Sequence, residues 1–424
     1  MKDNQFFLKT VFSASIFILA LIPLYSQQQD AVESSEPVTV FRGEVLGADS
    51  GDELVYATLA IEGTNVATVT NAEGEFSLRI PVNLEERNLT ISYIGYETKV
   101  IAVADLDREF NEIELIRSAV SLDKISVFPS DPELLMYAVM GRRDENYAGF
   151  NSINRAFYRE TIRKGLFYVS LTEAVIDVYR FPYHNMRSDR VKLLAGRRST
   201  DYDRIDTLAF RLQGGPQSAF MLDVMKDPYT LFDSEIIEHY NFEMEDVTVI
   251  DDRLLYVVSF KQKSNVEIPL FYGRVYVDTQ NLAIARAVYN MNVEDRDEAA
   301  RMFVRSKPFG ARVYPTEASY EATYREQEDG LWYLAHTKGN ISFRINWRRR
   351  LFNTNYHTSI EMAVTDWEKT EERPFRGGDR LRMNVIMEDE VLGFLDEDFW
   401  GDYNVIEPEA PIERLIRRIG RRLD

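Results

Sequence analysis

Leu254-Leu255-Tyr256-Val257-Val258-Ser259-Phe260 runs into a polar break, Lys261-Gln262-Lys263-Ser264-Asn265, and decides the fold together with the next two apolar runs. After the break, Tyr272-Gly273-Arg274-Val275-Tyr276-Val277 turns through Asp278-Thr279-Gln280-Asn281 into Leu282-Ala283-Ile284-Ala285-Arg286-Ala287-Val288. Gly273, Val275 and Val277 alternate with Tyr272, Arg274 and Tyr276, the period of two that sends successive side chains to opposite faces of a strand. The stretch therefore predicts consecutive antiparallel strands, the last two joined by a four-residue turn.

The same pattern recurs on either side of it. Phe157 to Thr161 and Phe167 to Val178 read as strands, the second carrying Glu173 among apolar neighbours. Tyr320 to Arg325, a Glu328-Asp329-Gly330 turn and Leu331 to Thr337 read as a hairpin, which Ile341 to Trp347 and Thr358 to Thr365 continue. Helices are few. Ser130-Asp131-Pro132-Glu133 starts one, with an apolar face of Leu134, Leu135, Ala138 and Val139, and Ser218 to Met225 makes a short one stopped by Asp227-Pro228. A run of hairpins with few helices predicts one wide antiparallel sheet curled around a helix or two.

The chain has 424 residues, enough for two or three domains of about 100 to 200 residues each. Its 69 acidic and 50 basic residues give a formal net charge of -19, which argues against a nucleic-acid partner because phosphates need a basic face. Lys2 and Lys9 precede an apolar run from Val11 to Leu24, with small Ser26 placed for cleavage. This reads as a secretory signal, too short for the roughly 18 to 20 residues of a membrane-spanning helix. The chain has no cysteine, so disulfides, thiolate metal sites and cysteine nucleophiles are excluded. The expected location is the periplasm or the periplasmic face of the outer membrane.

A compact β unit comes after a Ser/Glu/Pro linker. Phe41 to Leu46, Val55 to Glu62 and Leu89 to Ile94 read as strands, with Glu112 to Leu115 as a last edge strand. Val66 to Thr70 joins Glu75 to Ile80 through Asn71-Ala72-Glu73-Gly74, where Gly74 can take a positive φ. Four pieces, Arg42-Gly43-Glu44-Val45, Glu62-Gly63-Thr64, Thr70 to Phe76 and Ser92-Tyr93-Ile94-Gly95-Tyr96, resemble in order the carboxypeptidase regulatory-like domain, a prealbumin-type sandwich of seven strands. The resemblance implies a non-catalytic module. Together with Phe157-Tyr158-Arg159-Glu160, Glu173-Ala174-Val175, Gln213-Gly214-Gly215-Pro216 and the ending Asp398 to Pro408, it makes the chain similar to the carboxypeptidase-like regulatory domain-containing envelope proteins of Bacteroidetes-type bacteria. The hairpin from Leu255 to Met291 also resembles the lipoprotein-sorting (LolA-like) half-barrel, whose sheet wraps an apolar cavity.

The organisation that results is a signal peptide over 1–26, a linker over 27–37 and a β-sandwich over 38–117. A linker strand and helix occupy 118–150, a large antiparallel β domain 151–395 and a tail 396–424. The fold class is mainly β: a seven-stranded prealbumin-like sandwich followed by a large curved antiparallel sheet domain with a few helices.

Catalytic spacing is missing. No Gly-x-Ser-x-Gly elbow, phosphate loop or dinucleotide fingerprint occurs, and Gln213-Gly214-Gly215-Pro216 has no lysine placed to reach a phosphate. None of His184, His239, His336 and His357 has a glutamate three positions on, so the zinc site of a carboxypeptidase is not expected. No catalytic residue, cofactor or metal is assigned. The acidic pairs Asp251-Asp252 and Asp295-Arg296-Asp297 fall at turns, and Arg348-Arg349-Arg350 lies between strands.

From Pro411 to Leu423, Ile412, Leu415, Ile416, Ile419 and Leu423 recur at helical spacing, while Arg414, Arg417, Arg418, Arg421 and Arg422 fill much of the rest. This basic amphipathic helix can lie on an anionic membrane, contact a partner or dock on the chain's own acidic body. The functional expectation is a non-catalytic envelope protein whose large β domain binds an apolar or extended ligand or a protein partner, such as an envelope protein or lipid. The alternative is a hydrolase acting on peptide or glycan through carboxylates brought together by the fold. Mass spectrometry of the exported protein should find Gln27 at its N-terminus; an exported form retaining Met1 would make the apolar run an anchor.

Overall fold

The computed structural model describes residues 37–118, 131–201, 215–227, 231–303, 310–348, 353–391 and 399–423, with the side chains of the final helix described as far as Ile416. The expected signal segment lies outside them. No described helix is long and apolar enough to cross a membrane.

The N-terminal unit is a seven-stranded sandwich. β1 (Val38–Gly47) lies between β4 (Glu75–Pro81) and β7 (Asn111–Leu115) in one sheet, while β3 (Ala67–Val69), β2 (Thr58–Ile61), β5 (Asn88–Ser92) and β6 (Lys99–Ala102) form the other. Phe41, Val45, Leu59, Phe76, Leu78 and Ile91 fill the space between them. β7 runs parallel to β1, and its backbone approaches so closely that a Cβ at Gly43 would sit 2.0 Å from the Asn111 carbonyl oxygen. That approach explains the glycine in Arg42-Gly43-Glu44-Val45. Gly74 has the expected positive φ, +73°. The turn before it does not close a hairpin, however. β3 and β4 belong to different sheets, because Asn71 Oδ1 accepts from the backbone N–H groups of Glu73 and Glu75, both at 2.9 Å, and turns the chain across the sandwich. Strand β6, with its half-exposed residues, lacks the alternation that marks the other strands in sequence.

The large domain is a single ten-stranded antiparallel sheet. Its strands are β8 (Ser152–Lys164), β9 (Phe167–Arg180), β10 (Arg190–Thr200), β11 (Tyr240–Ile250), β12 (Arg253–Gln262), β13 (Phe271–Asp278), β14 (Ile284–Met291), β15 (Ala311–Glu326), β16 (Trp332–Trp347) and β17 (Thr354–Lys369). The spatial order, β10-β9-β8-β17-β16-β15-β14-β13-β12-β11, consists of two meanders fused where β8 pairs with β17. Val275 and Val277 are buried and Tyr272 and Arg274 exposed, as alternation requires. The turn after Asp278 is longer than four residues: β14 begins only at Ile284, after Leu282 adopts a left-handed φ of +63°. The segments Leu331 to Thr337 and Ile341 to Trp347 are one strand, since Lys338, Gly339 and Asn340 stay in register with both neighbours. β10 and β11 are edge strands whose mixed patterning carries no clear period of two.

One face of the sheet is covered by the chain's own helices. α1 (Pro132–Gly141) is capped as expected, Asp131 accepting from the N–H groups of Glu133 and Leu134 at 3.0 and 3.1 Å. Its buried stripe is Leu135, Met136 and Val139, leaving Leu134 and Ala138 exposed, because the helix contacts the sheet one position round from the expected face. After the short α2 (Arg143–Asn146), α3 (Pro216–Phe220) is shorter than the expected Ser218 to Met225 helix, and α4 (Ser234–Ile237) completes the layer. Further along, α5 (Arg296–Phe303) precedes β15, the short α6 (Met387–Glu390) comes after β17, and α7 (Ala410–Leu423) ends the described chain. Phe220, Val224, Phe232 and Ile237 pack with Tyr158, Ile176, Val258 and Tyr289 in one continuous core. The apolar face that could have enclosed a ligand therefore holds protein.

Inside this core lies a polar knot. Asp223 accepts from Arg180 (2.6 Å), Tyr324 (2.7 Å) and Tyr183 (2.9 Å), and Arg180 also pairs with Asp189 at 3.2 Å. It ties the α3 segment to β9 and β15. Removing one member of a buried charged network strands the others, at about 3–5 kcal/mol. Asp223→Ala should lower the unfolding free energy by about that amount, read as an unchanged denaturant slope with a reduced midpoint.

Candidate functional site

The opposite face of the sheet carries charge in an ordered row. Cross-strand register places Arg197 of β10 beside Glu173 of β9, Glu173 beside Arg159 of β8, Arg159 beside Glu361 of β17, Glu361 beside Lys338 of β16, and Lys338 beside Glu321 of β15. Arg286 of β14 extends the alternation by pairing with Glu321 at 2.9 Å. Glu173 receives Arg197 Nε at 2.6 Å and Arg159 Nε at 2.7 Å, one on each carboxylate oxygen. Glu361 lies 3.8 Å from Arg159 Nη1 and 3.5 Å from Lys338 Nζ and His336 Nε2. Cross-strand neighbours of opposite sign stabilise a sheet, and burial strengthens each attraction while raising the cost of breaking it.

Two parts of the chain roof this ladder. From the sandwich, Tyr56 stacks on His336 with ring centroids 4.7 Å apart and its hydroxyl accepts from Lys338, while Asn65 donates to the Trp367 carbonyl at 2.6 Å. From the tail, Trp400 lies against Phe157 and over the Arg197 guanidinium, and Arg159 Nη2 donates to the Ile406 carbonyl at 2.7 Å. Helix α7 then seats Ile412 and Leu415 on Leu171 of β9.

Between the roofs, beside Ala72 of the sandwich and Glu409 and Ile412 of the tail, a cleft of about 450 Å³ opens onto β8, β17, β16 and β15. Three rows of side chains form its floor. The first is the ladder segment Arg159, Glu361 and Lys338. The second is neutral: Thr161, Ser359, Asn340 and Ser319 are register partners across four adjacent strands. The third is Arg163, His357, Ser342 and Glu317, in which Ser342 Oγ and His357 Nδ1 are 2.8 Å apart.

The environment spreads the titration of these groups. Burial would raise the Glu361 carboxyl, but Lys338, His336 and Arg159 outweigh it and hold the group well below the usual carboxylate range. Burial opposes ionisation of Glu173 too, and there Arg197 and Arg159 overcome it and lower the carboxyl. Glu409 moves in the opposite direction, raised by burial and by the negative charge of Glu361, with Arg159 opposing. Burial and Arg163 lower the His357 imidazole. Tyr168, whose hydroxyl donates to Glu409 at 3.5 Å, is pushed up to about 12 by burial and that carboxylate.

Of the basic tail residues that the sequence marks as candidate contacts, Arg414 is exposed on α7 and does not line the cleft. The side chains of Arg417, Arg418, Arg421 and Arg422 lie outside the described residues. Arg159 and Glu173, both on this face, do stand in stretches that the sequence marks, without a hint that they meet. The one local signal is a glutamate in an otherwise apolar strand, which must find a partner if that face is buried. Among the described residues no group of histidine and carboxylate side chains is placed to hold a metal ion.

Residues 41–127 match the family model of the CarboxypepD_reg-like domain, so the sandwich is a carboxypeptidase regulatory-like domain. No curated protein matches the chain. Among solved structures, a DUF1329 family protein from Desulfovibrio piger aligns with 57% of this chain and 95% of its own, at 12% identity and a TM-score of 0.24. Lipovitellin, solved in a study of lipid–protein interactions, aligns with 54% of this chain at 8% identity and a TM-score of 0.24, and the match spans only 27% of its own length.

The ladder makes an acid-stability prediction. A carboxyl depressed by folding stabilises the protein above its unfolded pKa, near the ordinary value of 4.5, and that stability is lost as pH falls through the folded value. Glu173→Gln should therefore cost about 3 kcal/mol at pH 7. Its deficit against the parent should shrink as pH drops below 4.5, measured by urea unfolding across the acid range.

Proposed function

We propose that this is a non-catalytic binding protein of the cell envelope and that its cleft holds an extended, hydroxyl-rich ligand, a glycan strand, laid across the strands. The observation that carries the reading is the neutral row Thr161, Ser359, Asn340 and Ser319 between two charged rows. Adjacent strands lie about 4.8 Å apart, so a polymer crossing them meets a fresh hydrogen-bonding side chain at each step. Hydroxyl and amide groups both donate and accept, which suits a sugar's hydroxyls. An extended peptide would seek free backbone groups, and on a sheet face those are committed to the ladder. The floor of this cleft is polar, which suits the extended ligand expected from sequence better than the apolar one. The envelope location rests on the apolar run from Val11 to Leu24, which comes after Lys2 and Lys9 and reads as an export signal too short to span a membrane.

One observation favours a second reading, a glycan hydrolase. Glu409, raised, and Glu361, lowered, line the same cleft, and carboxyls pushed apart in this way are how glycosidases separate an acid from an anion. Binding is preferred because Glu361 is enclosed by three cationic or protonatable groups and is poorly placed to act on a substrate. Calorimetry with neutral and N-acetylated oligosaccharides should show binding that weakens about tenfold in Asn340→Ala/Ser359→Ala, as loss of one or two hydrogen bonds implies, with no new reducing ends. New reducing ends that disappear in Glu409→Gln would establish the second reading. Failure of every oligosaccharide to bind would remove both.

A further inference from the structure

One end of the ten-stranded sheet has a composition unlike the rest of this acidic chain. Register brings the end of β8, the starts of β15 and β17 and the end of β16 together: Lys164 lies opposite Tyr356, Ile345 opposite Thr354, and Ala311 opposite Trp347. The β8–β9 hairpin turns at this end, through Gly165 and Leu166. Its tip carries Leu166, 89% exposed, and Phe167, 59% exposed. Helix α5 ends at the same place, where Phe303 packs on Phe343 with ring centroids 6.2 Å apart, and the neighbouring Met302 is 55% exposed. Beneath them Ile162, Val169, Val313 and Ile345 form a small core of their own, which fixes the rim to the sheet.

Cations gather at this rim. Lys164 closes β8, Arg312 and Arg348 are exposed at the start of β15 and just after β16, and Arg344 donates to the neutral Asn355 amide oxygen at 3.3 Å. Arg301, on the last turn of α5, is paired with Glu298 at 2.6 Å. On a chain of net charge -19 this is a local reversal of sign. Scattered exposed apolar residues are ordinary, but a leucine and a phenylalanine side by side on a hairpin turn, at a sheet end that also carries these cations, form a defined surface.

We propose that this rim is a docking surface for an anionic lipid bilayer, with Leu166 and Phe167 entering the interfacial layer and Lys164, Arg312, Arg344 and Arg348 facing the headgroups. Charge complementarity selects the occupant: cations draw the protein to a negative surface, and the apolar tip supplies the short-range hold that a purely electrostatic contact lacks. The contact is separate from the tail helix, whose Ile412 and Leu415 are already seated on β9, and from the glycan cleft.

The test is co-sedimentation of the full chain with phosphatidylcholine vesicles, with and without phosphatidylglycerol. Binding should require phosphatidylglycerol, fall in high salt and weaken about tenfold in Leu166→Ser/Phe167→Ser, with the urea midpoint of the variant measured beside the parent's to separate lost binding from lost fold. Arg312→Glu/Arg348→Glu should weaken binding comparably. No binding of the parent chain to anionic vesicles overturns the proposal. So does undiminished binding of the Leu166→Ser/Phe167→Ser variant, whatever deletion of residues 411–424 does.

Discussion

A buried guanidinium needs negative charge within reach, and Arg159 has it on both sides. Glu173 holds it from β9 within the first meander, and Glu361 approaches from β17 at the end of the second. The β8–β17 pairing that fuses the meanders is thus the place where charge compensation is completed. Its cost is one-sided: two well-packed apolar residues could replace the pair with little loss, but losing one partner strands the other. The arrangement makes the β8–β17 register specific, since a slip of one residue would turn Glu361 to the helix-bearing face and leave Arg159 facing an apolar side chain.

That constraint also explains why the sandwich and the tail sit where they do. Buried charges need hydrogen-bond partners beyond their ion pairs, and the tail carbonyl of Ile406 and the Tyr56 hydroxyl supply them to Arg159 and Lys338. The regulatory-like domain is in this sense part of the large domain's core, covering polar groups the sheet cannot satisfy alone. The cleft is the uncovered interval between the two covers, which is why its floor continues the charged rows beneath them.

The two faces of the sheet consequently have different roles. On one, α1, α3 and α4 exclude water from an apolar core, and the Asp223 knot ties that layer to the strands. On the other, polar side chains are either roofed or left open to solvent in ordered rows. The open interval presents prearranged hydrogen-bonding groups held by a continuous sheet. Rigid strands position such groups more exactly than loops, which lowers the entropy lost on binding.

The amino-acid order by itself determined the strands around Leu254 to Met291, the capped helix at Asp131, the sandwich motifs with Gly43 and Gly74, and the mainly β class. These depend on periodicity and turn chemistry within a few residues, where sequence neighbours are also spatial neighbours. It placed Glu173 in an apolar strand and Arg159 in a motif but did not join them, and it split β16 at Lys338-Gly339-Asn340. The tertiary structure alone decided the charge ladder, the neutral row of the cleft and the basic rim. Each is a line drawn across strands, and which residue of β17 lies beside which residue of β8 is set by packing and charge compensation between segments some two hundred positions apart, a relation that no local pattern encodes.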